Sequence, residues 1–220
     1  MRALVLGHTG GIGSAVADEL RARGGLITGL SRREGLDLTQ QDSVARAARA
    51  LQAESFDLIF DATGALEIDG HRPEKTIAAI RAEAMAAQFA LNATGTALAL
   101  AHFSPLLVRQ RRAVFASLSA RVGSIGDNRL GGWISYRAAK AAQNQILRTA
   151  AIELARRNRQ TIVVALHPGT VRTRLTARYA AHHPTISPDE SARALLDVIE
   201  TLTPEDNGSF RDWRGEPVEW

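Results

Sequence analysis

The sequence predicts a single α/β domain of 220 residues, built on a doubly wound parallel sheet. Short apolar runs alternate with helical patterns along the chain, which is the order of strands and crossover helices in such a sheet. The strand runs are continuously apolar rather than alternating, so both faces of the sheet are predicted to be covered. No linker-like stretch divides the chain, and its apolar fraction of 45% is typical of a globular protein.

The predicted elements follow one another in regular order. Strands are predicted at 2–6, 26–30, 56–62, 113–119 and 161–169, with a last edge strand in "FRDWRG" near the end. Helices are predicted at 12–24, 41–52, about 73–107, 133–157 and 187–202. The last helix has the clearest start, because Ser187 can cap it and Pro188 suits its first position.

Composition and charge exclude several classes of function. The chain has no cysteine, which rules out disulfides, thiolate metal ligands and cysteine nucleophiles, and no histidine or carboxylate spacing suggests a metal. The net charge is +4, and the basic run at 109–112 is interpreted as a solvated loop rather than a nucleic-acid patch. The first apolar run is too short for a signal peptide, and no run approaches a membrane span of ~20 residues. A soluble, cytoplasmic protein without nucleic-acid or membrane partners is therefore predicted.

A glycine cluster follows the first predicted strand. The chain there reads "GHTGGIG", and the residues predicted to cradle a pyrophosphate are Gly7, Thr9, Gly10, Gly11, Ile12 and Gly13. The first glycine allows a tight turn, Gly11 lets the backbone approach the phosphates, and Gly13 lets the helix pack against the strand. The phosphates would lie at the helix N-terminus, where free N–H groups favour negative charge. The position of this cluster predicts a Rossmann-type dinucleotide site.

The end of the second strand predicts which dinucleotide is bound. The chain reads "GLSRRE" there, which places a hydroxyl and two guanidinium groups at Ser31, Arg32 and Arg33. Two guanidinium groups can clamp a ribose 2′-phosphate, so NADP(H) is favoured over NAD(H), although two solvated loop arginines are the alternative. Glu34 is a complicating carboxylate, while Asp37, with Leu38 beside it, better suits the adenine edge.

A tyrosine stands four residues before a lysine in "GGWISYRAAK". Residues at this spacing lie on one helix face, so Lys140 can place positive charge near the Tyr136 phenol. Lowering a tyrosine pKa from ~10 by ~3 units takes about 4 kcal/mol of preference for the phenolate. Taken alone, the pair could equally be a surface contact. The strand ends that carry Gly7, Arg32, Ser119 and Pro168 are expected to converge beside it.

The order of the glycine turn, the tyrosine–lysine pair and "HPG" resembles that of the short-chain dehydrogenase/reductase family over essentially the whole chain. The segments "SLSARVGSIGDNRLGGWISYRAAKAAQNQ" and "GSFRDWRGEPVEW" resemble the branch of C-factor signalling proteins and small carbonyl reductases. The resemblance implies that Tyr136 is the catalytic acid/base, that Lys140 is its partner and that Asn92 holds a water in a proton relay. It also implies a cofactor surface formed by Ala62, Thr63, Gly64, Tyr136, Lys140, Pro168, Gly169, Thr170, Val171 and Thr173.

Two positions depart from the family pattern. The usual Asn-Asn-Ala-Gly-like stretch is "DATG", so Asp61 replaces an amide. The usual catalytic serine position, three residues before Gly123, is Ala120, and Ser119 lies one step earlier. Neighbours on a regular strand point to opposite faces, so Ser119 reaches the site only if a bulge or turn redirects it. A water or a backbone donor in its place is the alternative.

These observations predict hydride transfer between NADP(H) and a small-molecule carbonyl or alcohol. An NADP(H)-binding signalling or sensor protein with little turnover is the second hypothesis, and epimerase or dehydratase chemistry is disfavoured because little chain follows residue 175. Residues 174–187 are predicted to form a lid over the substrate. Residues 84–101 and 133–157 are apolar most of the way round, which predicts a homodimer or homotetramer interface or, alternatively, helices sandwiched within one subunit.

Overall fold

The computed structural model describes residues 1–173, 176, 179 and 184–220. Its strands are β1 (Arg2–Leu6), β2 (Leu26–Leu30), β3 (Leu58–Asp61), β4 (Ala113–Leu118), β5 (Thr161–His167) and β6 (Ser209–Asp212). Its α-helices are α1 (Gly11–Ala22), α2 (Gln41–Ala50), α3 (Ala82–Phe89), α4 (Gly95–Phe103), α5 (Ile134–Arg157) and α6 (Pro188–Thr201). The predicted strands and helices are thus confirmed to within a few residues, apart from the long helix predicted at 73–107.

The six strands form one parallel sheet in the order β2-β1-β3-β4-β5-β6. The chain passes from β1 to β2 on one side and then crosses to β3 on the other. The strand order therefore reverses between β1 and β3, and in open α/β sheets ligands bind in the crevice at the carboxyl ends of such strands. The predicted Rossmann-type doubly wound sheet is confirmed, and the glycine turn lies at this crevice.

Alternation along the strands divides the core into two layers. On β1, Ala3 and Val5 face the cluster formed with α1 and α6, whereas Leu4 and Leu6 face the cluster formed with α2, α4 and α5. Successive side chains of a strand point to opposite faces, so one continuous apolar run supplies both layers. The sheet is rigidly enclosed by this packing, which fixes the positions of its carboxyl ends.

The helix predicted at 73–107 is wrong over its first part. Residues 73–81 contain only a short 3-10 turn at Ile77–Ala79, and α3 starts at Ala82. The reason is a tertiary contact, because the backbone carbonyl of Glu74 accepts from Trp133 N and its carboxylate accepts from Ser135 N. Glu74 thereby caps α5, whose own N-cap residue provides no side-chain bond. These bonds hold the chain around Glu74 in a loop, and a helix there could not make the same contacts with α5.

A π-helical segment, Ala90–Thr94, separates α3 from α4. Together with the following 3-10 turn these pieces form the stretch Ala82–Leu106, which among the described residues is long and apolar enough to cross a membrane by length and composition alone. In the structure, α3 and the π segment pack on α5, and α4 packs on α2. This packing buries only part of the apolar stretch.

Candidate active site

The glycine turn after β1 leads directly into an uncapped helix start. Gly10 is the N-cap of α1 and offers no side-chain bond to the first turn, so the N–H groups there are uncapped by any side chain. A methyl group on Gly13 would lie 2.2 Å from the carbonyl oxygen of Gly7, so only glycine lets α1 start this close to β1. Thr9, Gly10 and Gly11 are exposed, and Ile12 is half-buried against the core. An uncapped helix start beside an open turn fits a pyrophosphate.

The end of β2 carries a carboxylate beside the predicted 2′-phosphate contacts. Ser31 caps the 3-10 turn Arg32–Glu34, but its hydroxyl donates to Glu34 Oε2 at 2.7 Å. His8, from the glycine turn, lies 3.1 Å from the same oxygen. Hydrogen bonds from Ser31 and His8 lower the pKa of Glu34 to about 2. Arg32 and Arg33 are exposed beside this carboxylate, so a phosphate here would meet charges of both signs.

The predicted adenine-edge residues are divided between surface and core. Asp37 Oδ1 accepts from the backbone N–H and the hydroxyl of Thr39. Leu38 is buried in the core, where its Cβ would lie 3.0 Å from a methyl group on Gly95. The Leu38 side chain is thus a packing residue, and Asp37 is the polar group of this pair.

The loop after β3 joins three of the predicted residues. Gly64 has φ of +119°, and a methyl group on it would lie 2.6 Å from Asn92 Oδ1 and 3.5 Å from Lys140 Nζ. Ala62 and Thr63 lead into this loop from β3 and are half-buried. Only glycine combines this backbone conformation with so close an approach. The structure therefore brings Gly64, Asn92 and Lys140 together.

The Asn92 side chain anchors the loop that follows β3. Its Oδ1 accepts from Ala65 N, and its Nδ2 donates to Ala65 O and to Gln88 Oε1. Asn92 lies in the π-helical segment, a feature frequent at functional sites because it breaks the regular backbone ladder. The water-holding role that the resemblance implies stays a prediction, and the side chain itself is a loop anchor.

Tyr136 and Lys140 share one face of α5. Lys140 Nζ lies 5.8 Å from the centroid of the Tyr136 ring and donates to Leu118 O at 3.0 Å and to Gln143 Oε1 at 2.8 Å. Burial lowers the pKa of Lys140 to about 8, opposed by the charge of Asp61. Burial also raises the pKa of the Tyr136 phenol, so the acid is protonated at neutral pH until positive charge approaches it.

Trp133 shapes the start of this helix. It adopts a left-handed conformation with φ of 54°, and its ring makes edge contacts with Tyr136 and Tyr179 at 6.4 and 5.3 Å between centroids. The Tyr179 hydroxyl also donates to Glu67. Tyr179 belongs to the predicted lid, most of which lies outside the described residues.

The Ser119 hydroxyl is bonded to a side chain of α5. It donates to Asn144 Oδ1 at 2.6 Å, and both residues are buried. The backbone at the neighbouring Ala120 is extended, and Ala120 is partly exposed. The hydroxyl predicted to orient the carbonyl thus already has a partner, and its role in catalysis stays a prediction.

The segment after β5 closes the site from the other side. The side chain of Thr173 would lie 2.9 Å from a methyl group on Gly11, so this segment touches the phosphate turn. Pro168 O accepts from the Ser191 hydroxyl, which ties the segment to α6, and Val171 pairs with Ile186. Gly169 and Thr170 lie between these anchors. The predicted phosphate and nicotinamide segments are thus neighbours.

Sequence reasoning missed three buried polar residues around the pair. Glu74 caps α5, while Gln143 and Ser117 form hydrogen bonds between Lys140 and Asp61. Gln143 lies three residues after Lys140 on the helix, a spacing that could have suggested contact. No local signal in the sequence links Glu74 to a helix that starts sixty residues later.

The chain is similar in sequence and fold to known proteins. The family model for short chain dehydrogenases matches residues 34–184. The chain is 29% identical to 1-hydroxy-2-glutathionyl-2-methyl-3-butene dehydrogenase of Rhodococcus sp. (strain AD45), over 99% of this chain and 98% of that protein. It is 35% identical to the C-signal protein of Myxococcus xanthus, over 62% of this chain and 78% of that protein.

Among solved structures, a short-chain dehydrogenase/reductase of Burkholderia multivorans with bound NADP is 26% identical. The match covers 100% of this chain and 99% of that one, with a TM-score of 0.83. The fold, the glycine turn and the tyrosine–lysine pair are therefore found together with sequence similarity over the whole chain. This protein belongs to the short-chain dehydrogenase family.

Proposed function

We propose that the protein is an NADP(H)-dependent oxidoreductase that transfers a hydride between the nicotinamide and a carbonyl or alcohol carbon. The observation that carries the proposal is the grouping of Tyr136, Lys140 and Gly64 at the carboxyl ends of the strands, beside the uncapped start of α1. Arg32 and Arg33 at the end of β2 favour a 2′-phosphate, and the Burkholderia relative binds NADP.

The cofactor would be held by the residues of the crevice. The first turn of α1 would bind the pyrophosphate, and the segment 168–173 would lie against the nicotinamide. The bound cofactor would supply the hydride and the hard redox chemistry. The Lys140 ammonium would hold the nicotinamide ribose and stabilise the phenolate of Tyr136.

The protein's own side chains transfer the proton. In the reductive direction the Tyr136 hydroxyl donates its proton to the substrate oxygen as the carbonyl carbon receives the hydride. The resulting phenolate is stabilised by the adjacent Lys140 charge and recovers a proton from solvent. Oxidation of an alcohol uses the same groups in reverse.

The test is NADPH oxidation across a panel of aldehydes, diketones and quinones. Tyr136→Phe removes the proton donor, so turnover is expected to fall by at least 100-fold, as is typical for loss of a general acid. The NADPH dissociation constant, measured by cofactor fluorescence, is the control and is expected to change little. Undiminished turnover in Tyr136→Phe with intact NADPH binding would overturn the proposal.

A second candidate is an NADP(H)-binding sensor with little turnover. It is favoured by Ala120, which leaves the crevice without the customary serine, and by the similarity to the C-signal protein. Tight NADPH binding with no oxidation across the panel would support this alternative.

We also propose that the protein is a homodimer or homotetramer. Ile152 on α5 is exposed although large and apolar, and α3 and α4 flank the same layer. Light scattering after size exclusion gives the mass, and Ile152→Glu is expected to reduce it if α5 forms the interface. A monomeric wild-type protein would refute this assembly.

A further inference from the structure

Lys140 is a buried cation whose hydrogen bonds are directed mainly away from the crevice. Only 4% of its surface is exposed. Its Nζ donates to Leu118 O and Gln143 Oε1, at 3.0 and 2.8 Å. An ammonium group has three N–H donors. Among the described residues, these two bonds therefore leave one donor for the crevice.

The hydrogen bonds continue from Gln143 to a buried carboxylate. Gln143 Nε2 donates to Ser117 Oγ at 2.9 Å, and the Ser117 hydroxyl donates to Asp61 Oδ2 at 2.8 Å. A lysine can only donate, so Gln143 must present its oxygen to Lys140 and its nitrogen to Ser117. The hydrogen bonds from Lys140 to Gln143, from Gln143 to Ser117 and from Ser117 to Asp61 therefore all run from the ammonium toward the carboxylate. We name Asp61, Ser117, Gln143 and Lys140 the buried charge set.

Asp61 is also fixed at its other oxygen. Its Oδ1 accepts from the backbone N–H of Thr63 at 3.0 Å and from the Thr63 hydroxyl at 2.5 Å. Three donors thus converge on a carboxylate that is 1% exposed. The family's customary residue here is an amide, which would bring no charge. The reaction proposed above assigns no role to the charge of Asp61.

We propose that Asp61 is a positioning residue, which through Ser117 and Gln143 keeps Lys140 charged and holds its Nζ beside Leu118, with one donor left for the crevice. An amide does not readily pass a proton, so the set provides fixed electrostatic support rather than a proton path. The role in catalysis rests on the proposed function, whereas the effect on Lys140 does not.

The charges around Lys140 are few. Asp61 faces it from the end of β3, and Tyr136 faces it from one turn earlier on α5. The 3-10 turn Arg121–Gly123 also packs against it, but the Arg121 guanidinium bonds Asp127 and Asp212 instead. Burial lowers the pKa of Lys140, and Asp61 is the charge that opposes this shift. Removal of the Asp61 charge should therefore have a measurable effect on Lys140.

The chain allows a direct measurement because it contains only two lysines, Lys75 and Lys140. Labelling with ¹³C-lysine gives two Cε signals, and the exposed Lys75 serves as an internal reference. Asp61→Asn keeps the shape and restores the family's amide. The pKa of Lys140 is expected to fall by roughly one to two units, the range for a unit charge ~7–12 Å away at an effective dielectric constant of ~20. The Lys75 signal is expected to titrate unchanged.

A charge-relocation variant tests the assignment further. Asp61→Asn combined with Gln143→Glu places a carboxylate directly beside Lys140, with the Ser117 hydroxyl free to donate to it. The pKa of Lys140 is expected to return to at least its wild-type value. Should Asp61→Asn fail to give a cooperative thermal unfolding transition, Gln143→Met removes the acceptor oxygen instead, and the pKa is again expected to fall. An unchanged Lys140 pKa in whichever of these folds overturns the proposal.

The kinetic readout separates this proposal from the proposed function. The pH profile of kcat/KM for NADPH-dependent reduction has an alkaline limb, which is expected to shift to lower pH in Asp61→Asn, as the Lys140 pKa does. In the double variant this limb is expected to return to its wild-type position. A Lys140 pKa that shifts while this limb stays in place overturns the role in the reaction. A shifted pKa in a protein without any turnover supports the charge coupling and counts against the proposed function alone.

Discussion

Restoring a serine at position 120 tests how the crevice orients a carbonyl. The strand end is extended at Ala120, with φ of −145° and ψ of 141°. β4 ends at Leu118 and Ser119 bonds Asn144 on α5, so Ala120 lies between the strand end and the turn at Gly123. It is partly exposed and precedes the turn at Gly123, which contacts Lys140. Ala120→Ser should therefore add a hydroxyl to the crevice.

The size of the effect follows from one added hydrogen bond. A hydroxyl that donates to the substrate oxygen contributes a net ~0.5–1.5 kcal/mol. This corresponds to a rise in kcat/KM of roughly two- to twelvefold, expressed in kcat if the bond strengthens in the transition state. The position is not enclosed, so the added oxygen atom needs no repacking.

The assay is NADPH oxidation with each substrate that the wild-type protein turns over, alongside the NADPH dissociation constant. Ala120→Ser is expected to raise kcat/KM on most of them and to leave cofactor binding unchanged. Equal or lower kcat/KM on every substrate, with cofactor binding intact, would show that residue 120 does not face the reacting carbonyl.

Three further outcomes are expected. Ser119→Ala leaves Asn144 Oδ1 unpaired beside an Nδ2 that already lacks a partner among the described residues, so it should destabilise the fold by about 1–3 kcal/mol in urea unfolding. Glu34→Gln removes the carboxylate that holds the Ser31 hydroxyl, so NADPH should bind about two- to fivefold tighter relative to NADH; an unchanged ratio would count against it. Burial lowers the pKa of Lys140 from 10.5 to about 8, so the unfolded chain keeps this proton to higher pH. Stability should therefore gain a contribution between about pH 8 and pH 10.5 that Lys140→Met lacks, and the same pH dependence of urea unfolding in both proteins would contradict this.

The fold was predictable because its signals are local and repeated. The inner strands β1, β3, β4 and β5 are largely apolar runs, and the glycine spacing after β1 is typical of a dinucleotide-binding turn. The cap of α6 at Ser187 was likewise predictable, and in the structure Ser187 and Glu190 exchange hydrogen bonds as a capping box. The helix predicted at 73–107 was wrong because Glu74 is held by α5, a contact between distant segments that no local pattern reports.

Which residues form the site was easier to predict from the sequence than which contacts they make. The sequence order placed Tyr136, Lys140 and the glycine turn at one crevice, and the structure agrees. It could not show that Ser119 turns toward Asn144, because that depends on which face of β4 meets α5. Nor could the sequence show that the Glu34 carboxylate accepts a hydrogen bond from the Ser31 hydroxyl, because a side chain three residues later can point to either side of the turn.

The departures from the family pattern share a physical consequence. With Ala120 in place of a serine, the crevice has one fewer neutral hydrogen-bond donor for a substrate carbonyl. Tyr136 and Lys140 must therefore supply more of the electrostatic stabilisation of the transition state. Burial lowers the pKa of Lys140 to about 8 although an anion already opposes the shift, so without that anion the lysine would lose its charge at lower pH. Asp61 is that anion, and it is reached through bonds that are all protected from solvent. The acidic residue that departs from the family is thus placed where it would support the catalytic cation that the missing serine makes more important.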